Sequence, residues 1–347
     1  MDAFVDSILI EIDRQKDYLK DEEISTIYFG GGTPSVLSAE KLDLILSKLK
    51  SVFDISKDCE ITLEANPEDI KSEFISQIKS LGVNRLSIGC QAFDNVLLKN
   101  LNRNHSVDDA VNALKTAKKN GFDNISADLI YGIPGLSTED WEKSLNQLIE
   151  LDIPHISAYN LTVEPKTALE VLIRKGKYPN LDENLGSEQF EILIPLLESN
   201  GYEHYEISNF AKDKLYSKHN TNYWKNKKYL GLGPSAHSYN QKSRSWNISN
   251  IKRYIEDLAL GMEISQEELL SKNDMFNEYI MLSLRTIWGV DLKYLKSNFG
   301  DHYLEYFKKN IYDYQKKGFI EIEGNFYKLS RAAKLFADRV ASDCFIL

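Results

Sequence analysis

The sequence predicts an α/β chain of parallel strand–helix units, followed by a smaller C-terminal module of helices and a hairpin. Three observations carry this. Short β-rich runs alternate with helical patterns through the first 165 residues. Several of those runs end in glycine or in a polar turn, where such folds gather ligand-binding groups. Near the C-terminus, Phe319–Glu323 and Phe326–Leu329 flank Gly324 and Asn325, the pattern of a hairpin, and the segment before them reads as helices, as in a winged-helix module. Residues 1–165 are therefore expected to form a β/α core, residues 166–262 an extension of it, and residues 263–347 the C-terminal module.

The elements follow in order. Val5, Ile8, Leu9, Ile12 and Leu19 recur at helical spacing, so the chain opens in a helix. The Thr26–Phe29 run reads as a strand and stops at Gly30, Gly31 and Gly32, with Thr33, Pro34 and Ser35 behind them. Glycines expose bare main chain, which can hold a polar ligand at the end of a strand. No Lys-Ser/Thr pair follows, and the spacing is not that of a dinucleotide fingerprint. Taken alone, the turn equally suits a tight strand-to-helix connection. Ser38 is placed to cap a helix bearing Leu42, Leu44, Ile45, Leu46 and Leu49. Glu60–Glu64 reads as a strand ending at Ala65, Asn66 and Pro67, followed by a helix over 70–80. Arg85–Gly89 reads as a strand, followed by a polar turn with Gln91 and a helix over Ala110–Lys119. Asn124–Tyr131 is the next strand, running into Gly132-Ile133-Pro134-Gly135. A helix over Thr138–Glu150 and a strand over His155–Thr162 complete the series. Right-handed crossovers put the loops after such strands on one edge. That edge would carry Gly30 to Thr33, Glu64, Gln91, Asp128 and Thr162. Beyond it, residues 176–185 read as loop, Glu188–Glu198 as a helix, and residues 202–240 are rich in aromatic and polar groups.

The bulk composition sets limits. With 347 residues, 42% hydrophobic and 27% charged, the chain is globular in character and long enough for more than one core. Its formal net charge of -10 argues against non-specific nucleic-acid binding. Lys308, Lys309, Lys316 and Lys317 look like an ordinary solvated surface. No apolar stretch reaches membrane-spanning length, and the first residues lack the basic start and apolar run of a signal peptide. The expectation is a cytoplasmic protein without stable membrane insertion and without a nucleic-acid partner. Cys59, Cys90 and Cys344 are far apart and odd in number, neither a disulfide framework nor a zinc pattern.

Two groups of side chains stand out chemically. Glu64 and Asp128 sit among apolar residues near the ends of two strands, where carboxylates can accept hydrogen bonds from an ammonium group or from ribose hydroxyls. Gln91 belongs to the same edge. Arg103 suits bidentate binding of a carboxylate, and suits an exposed helix end equally well. The second group is Ser217-Lys218-His219-Asn220-Thr221-Asn222-Tyr223-Trp224. A histidine with an aromatic pair four and five residues on can make a flat apolar face with one nitrogen ligand, as a haem requires; ordinary packing gives the same pattern. His237, after the Gly231–Gly233 turn, reads either as a cavity-mouth residue or as structural.

Several motifs in order resemble a known family. Phe29–Ser35, Leu63–Pro67, Arg85–Gln91, Asp128–Gly135 and Tyr205–Ala211 resemble the radical S-adenosylmethionine (SAM) proteins related to oxygen-independent coproporphyrinogen III oxidase, and within that group its haem-chaperone branch. The resemblance implies a partial (β/α) barrel with a C-terminal winged-helix-like domain. It implies that Gly31, Gly32 and Thr33 hold the methionine part of S-adenosylmethionine. Glu64, Gln91, Arg103 and Asp128, with Thr162 and His237, match further positions around that ligand. His219–Trp224 matches the His-Asn-x-x-Tyr-Trp motif associated with haem. This implies His219, Asn220, Tyr223 and Trp224 as haem-site residues, His219 as the iron ligand, and a haem-acceptor protein as partner.

One departure is large. The family carries, after its first strand, three cysteines spaced by three and two residues that hold a 4Fe–4S cluster. This sequence has no such triplet and opens in the helix that would follow that strand. The implied barrel thus lacks its first strand, and the iron–sulfur ligands are absent from this chain. An earlier start than Met1 and a shortened paralogue both account for this. Haem delivery is the expected function. The alternatives are oxidative decarboxylation of coproporphyrinogen III and a cluster-less, non-catalytic relative.

Overall fold

The computed structural model describes residues 1–20 and 22–347. Among them, a seven-stranded sheet has the order β1-β2-β3-β4-β5-β7-β6. Its strands are β1 (Ile24–Phe29), β2 (Ile55–Ala65), β3 (Arg85–Gln91), β4 (Asn124–Tyr131), β5 (His155–Asn160), β6 (Glu203–Glu206) and β7 (Asn209–Ala211). The chain divides into two compact units. One comprises Met1–Gly31, Leu37–Glu60 and Ser217–Leu347, the other Gly32–Val36 and Ile61–Tyr216.

The second unit holds the parallel part of the sheet. β2 pairs with β3, β3 with β4 and β4 with β5, all parallel. The strands alternate, with one face of the sheet apolar and the other largely polar. Leu63, Leu86, Ile88, Ile125, Ala127 and Ile156 are fully buried. The sheet also carries two rows of polar side chains. Glu64, Ser87, Ser126 and His155 are direct neighbours across β2, β3, β4 and β5. Two residues on, and so on the same face, Asp128 pairs with Ser157 and Ser157 with Asn209. The helix Glu183–Ser199 supports the loop after β4. Fully buried Gln189 accepts from Gly132 N–H at 2.7 Å and donates to Leu136 O at 2.9 Å, while Trp141 Nε1 donates to Gln189 O at 3.0 Å.

The sequence-based boundaries shift in several places. β5 stops at Asn160, leaving Thr162 outside it. Residues Ala168–Arg174 form a short helix whose two turns are too few to show a periodicity; the Thr167 hydroxyl accepts from Glu170 N–H and caps it. The next helix starts at Glu183, within the stretch read as loop because Gly186 interrupts its apolar pattern. β6 and β7 are antiparallel additions that the motif Tyr205–Ala211 did not reveal as strands. Ser38 occupies the N-cap of Ala39–Val52 without a capping side-chain bond; its hydroxyl faces the Glu40 carboxylate, which it holds below the ordinary glutamate range.

In the first unit, the helix Asp2–Arg14 packs on Ala39–Val52 and on Ile251–Ala259 and buries Val5, Ile8 and Ile12, while Arg14 donates to Leu258 O of the latter helix and to Met262 O just beyond it. Strands β8 (His237–Tyr239), β9 (Ser243–Asn247) and β10 (Ser265–Leu269) form one antiparallel sheet. β11 (Val290–Asp291), β12 (Ile320–Glu323) and β13 (Phe326–Leu329) form another, with β12 and β13 the expected hairpin. No helix among the described residues is long and apolar enough to cross a membrane.

Glu11 anchors the Gly231–Ser235 turn from inside. Its buried carboxylate accepts from Tyr254 Oη at 2.5 Å, Gly233 N at 2.8 Å and Asn247 Nδ2 at 2.6 Å. Burial raises its pKa above the ordinary glutamate value, against those hydrogen bonds. The folded chain therefore takes up this proton at higher pH than the unfolded chain. Its contribution to stability grows as pH falls through the raised value towards the ordinary one. Urea unfolding at neutral and mildly acid pH should show a flatter dependence in Glu11→Gln than in the unsubstituted chain. An unchanged slope would show that other groups set it.

Candidate functional site

The strand ends of the second unit converge on one pocket of about 170 Å³. Gly32, Thr33, Glu64, Asn66, Gln91, Arg103 and Asp128 line it, together with Ala65, Ser87 and Gly89. Six residues singled out from the sequence are thus brought together: Gly32, Thr33, Glu64, Gln91, Arg103 and Asp128. Gly31 immediately precedes them with φ of +79°, a conformation that glycine adopts without strain. Thr162 is exposed beyond β5, its hydroxyl 3.5 Å from Glu164. His237 lies exposed at the start of β8 in the first unit, its ring 6.2 Å from that of Trp246.

Local chemistry explains each placement. Ser35 fastens the glycine turn to the end of β2: its hydroxyl donates to Asp69 Oδ2 at 2.6 Å and accepts from Asn66 N–H at 3.4 Å. β3 bulges between Ile88 and Gln91, and Gln91 takes a left-handed φ of +65°. Gly89 makes room for this, since a methyl group there would meet Gln91 Nε2 at 2.7 Å. Arg103 follows a short helix, Asn95–Asn100, capped by Asp94 through Val96 N–H and Leu97 N–H. The turn closing that helix holds Arg103 by a bond from its N–H to Leu98 O, with Asn102 left-handed. Asp128 accepts from Ser87 Oγ at 2.9 Å and from Ser126 Oγ at 3.1 Å. Burial raises its pKa, opposed by those two hydroxyls and by the charge of Arg85.

The donor set fits an amino-acid nucleoside. Arg103 Nε is buried without a partner, so the pocket holds an unmet donor suited to a carboxylate. Glu64 and Asp128 supply acceptors for an ammonium group or hydroxyls, and the glycine turn supplies bare main chain. Asn66 and Ser87 were missed from sequence. Ser87 lies beside Glu64 in register, a signal that appears only once β2 and β3 are paired.

The second group forms on the helix Lys218–Trp224, capped by the Ser217 hydroxyl. Its start is fixed from below, where His219 N–H donates to Glu60 Oε1 at 3.0 Å. The His219 ring stacks on Tyr28 of β1 at 4.7 Å and meets Tyr223 edge-on at 4.9 Å. Its Nδ1 lies 2.9 Å from Thr26 Oγ1, and its Nε2 lies 2.9 Å from Tyr223 Oη. Asn222 Nδ2 reaches Ser25 Oγ at 3.4 Å. His219, Asn220, Tyr223 and Trp224 are all half-buried. Trp224 Nε1 has no partner, and the Arg285 guanidinium stands 6.0 Å from the Trp224 ring.

The three cysteines of this sequence do not fit a cluster site. Cys59 and Cys344 belong to the first unit and Cys90 to the second. Burial pushes the Cys59 thiol up to about 11 and the Cys344 thiol up to about 12, and raises Cys90 as well, which disfavours the thiolates that iron requires. Among the described residues no group of three or more His, Cys, Asp or Glu side chains is arranged to hold a metal ion.

Comparison with known proteins agrees with this geometry. The radical SAM superfamily model matches residues 5–148, and the HemN C-terminal domain model matches residues 270–336. The structure of coproporphyrinogen III oxidase (HemN) from Escherichia coli superposes with a TM-score of 0.85 over 99% of this chain and 83% of that one, at 20% sequence identity. The fold is thus the partial-barrel α/β architecture that the sequence led one to expect, with a C-terminal domain of HemN type, and the matching family models make this a radical SAM protein. The heme chaperone HemW of Bacillus subtilis is 36% identical over 320 residues, 92% of this chain and 84% of that protein. That of Lactococcus lactis is 36% identical over 301 residues, 86% of this chain and 78% of that protein. The chain belongs to the HemW family.

Proposed function

We propose that this protein is a haem-binding chaperone that passes haem to an acceptor protein, and that the pocket of its second unit binds S-adenosylmethionine. The observation that carries the haem reading is the half-buried face on Lys218–Trp224, where His219 stacks on Tyr28 and meets Tyr223 edge-on. Such a face offers aromatic area to a porphyrin and one imidazole nitrogen to its iron. The names of the HemW relatives support the same reading.

In the pocket, Arg103 binds the amino-acid carboxylate of S-adenosylmethionine, and Gly31, Gly32 and Thr33 hold its methionine part. Glu64, Gln91 and Asp128 take its ammonium group and hydroxyls. Bound there, the ligand supplies a sulfonium-linked adenosyl group. Oxidative decarboxylation would need a cluster that the cysteines of this sequence do not fit. The test is a haem titration of the full chain, followed by mixing with a haem-free acceptor such as apomyoglobin. The expected result is a saturable haem spectrum whose haem then moves to the acceptor. Absence of saturable binding would overturn the chaperone reading.

A further inference from the structure

The Tyr205–Ala211 segment contributes no group to the pocket lining. Its first residue nevertheless ends a buried hydrogen-bond chain that begins at Asp128. Ser126 Oγ lies 3.1 Å from Asp128 Oδ1 and 2.8 Å from His155 Nδ1, and His155 Nε2 lies 2.7 Å from Tyr205 Oη. Ser126, His155 and Tyr205 are each 0% exposed, so water does not compete for these bonds.

We propose that His155 is a positioning residue for the pocket: the Tyr205 hydroxyl fixes its Nδ1–H tautomer, and that tautomer aims the Ser126 hydroxyl at Asp128. The proposal rests on the reading of the pocket as the S-adenosylmethionine site.

Proton counting carries the argument. Ser126 has one proton and three neighbours within reach, namely Asp128, His155 and, at 3.1 Å, Ser157. A carboxylate is the strongest acceptor of the three. Ser157 sends its own proton to Asn209 Oδ1 at 3.1 Å, and the Asn209 amide is oriented by its donation to Glu206 Oε2 at 2.6 Å. With its proton on Asp128, Ser126 must accept from His155, which places the imidazole proton on Nδ1. Nε2 is then an acceptor, and the Tyr205 O–H fills it. The opposite tautomer would donate to the tyrosine oxygen and draw the Ser126 proton away from Asp128. The ring stays neutral because burial, assisted by the charge of Arg85, lowers its pKa well below the ordinary histidine value. With Ser87 and Ser126 both donating, Asp128 is held as a pure acceptor, the state that an ammonium or hydroxyl ligand requires. A purely structural chain would satisfy the same atoms in either direction, so the direction is the testable content.

The experiment uses the full chain with ¹⁵N-labelled histidine. Long-range ¹H–¹⁵N spectra, with the His155 signals assigned through His155→Gln, report its tautomer, and titration gives the affinity for S-adenosylmethionine. The unsubstituted chain should show neutral His155 protonated at Nδ1. In Tyr205→Phe the ring should shift towards the Nε2–H tautomer, and affinity should fall roughly tenfold. Should Tyr205→Phe not fold, Ser126→Ala carries the test: affinity should fall by a similar factor while His155 keeps its Nδ1–H tautomer, because Tyr205 still fills Nε2. Either readout staying at its starting value in folded Tyr205→Phe, or an unchanged affinity or a tautomer shift in Ser126→Ala, overturns the proposal. A wild-type chain that binds the ligand with His155 protonated at Nε2 also overturns it. Absence of saturable binding in the wild-type chain overturns the pocket reading, and the positioning role with it.

Discussion

His219→Ala is expected to abolish the iron-ligated haem spectrum, and Tyr223→Phe to strengthen haem binding. The two changes separate the ligand from the group that covers it. In the structure both imidazole nitrogens are engaged, Nδ1 with Thr26 and Nε2 with Tyr223. An iron ligand must present an unshared pair, so ligation through Nε2 first requires the tyrosine hydroxyl to leave. Thr26 remains on the far nitrogen, where a bond from Nδ1–H fixes the ring and raises its basicity. Removing the hydroxyl in Tyr223→Phe keeps the edge-on ring contact and deletes a hydrogen bond of net strength ~0.5–1.5 kcal/mol, which should tighten haem binding roughly threefold to tenfold. Titrations followed in the haem absorption bands check both. A His219→Ala variant with unchanged spectrum and affinity would remove His219 as the ligand. Weaker binding in Tyr223→Phe would mean that the tyrosine oxygen contacts the bound haem rather than covering the imidazole.

The residues legible in the sequence are those whose chemistry contrasts with their surroundings. Glu64 and Asp128 stood out because a carboxylate inside an apolar strand is costly without a purpose. The glycine turn stood out because three glycines end a strand abruptly. Ser87 and Ser126 gave no such contrast, since serine is unremarkable in a strand; only the register, which sets Glu64, Ser87, Ser126 and His155 side by side, shows their part. Gln91 was legible as a turn residue, but its folding back over Gly89 depends on a bulge that no local pattern announces. β6 and β7 were hidden for a related reason. They span Glu203–Glu206 and Asn209–Ala211, too short for alternation to register; β7 pairs with β5, some 50 residues away in the chain, and β6 pairs with β7. The β/α rhythm itself was readable because its longer helices show an apolar stripe, as in Val107–Lys119 and Thr138–Glu150; the six-residue Asn95–Asn100 is too short to do so.

Arg103→Ala is expected to weaken S-adenosylmethionine binding by about 10- to 100-fold, the range for losing a charge-assisted hydrogen bond of ~1.5–3 kcal/mol. The reason lies in what the structure leaves unmet. Arg103 Nε is buried without an acceptor, while the turn after Asn95–Asn100 fixes the backbone from which the side chain reaches the pocket. An orphaned guanidinium donor is costly unless a ligand supplies the acceptor, and a planar carboxylate does so through two parallel bonds. Arg103→Lys should therefore recover only part of the loss, because an ammonium group cannot form the fork. The sharper check is a ligand lacking the carboxylate. Decarboxylated S-adenosylmethionine should bind Arg103→Ala and the unsubstituted chain with similar affinity, since the interacting partner is gone from both. If the substitution weakens both ligands equally, Arg103 shapes the pocket without contacting the carboxylate. The carboxylate of the ligand must then be held by the glycine turn, where main-chain groups act without the help of a cation.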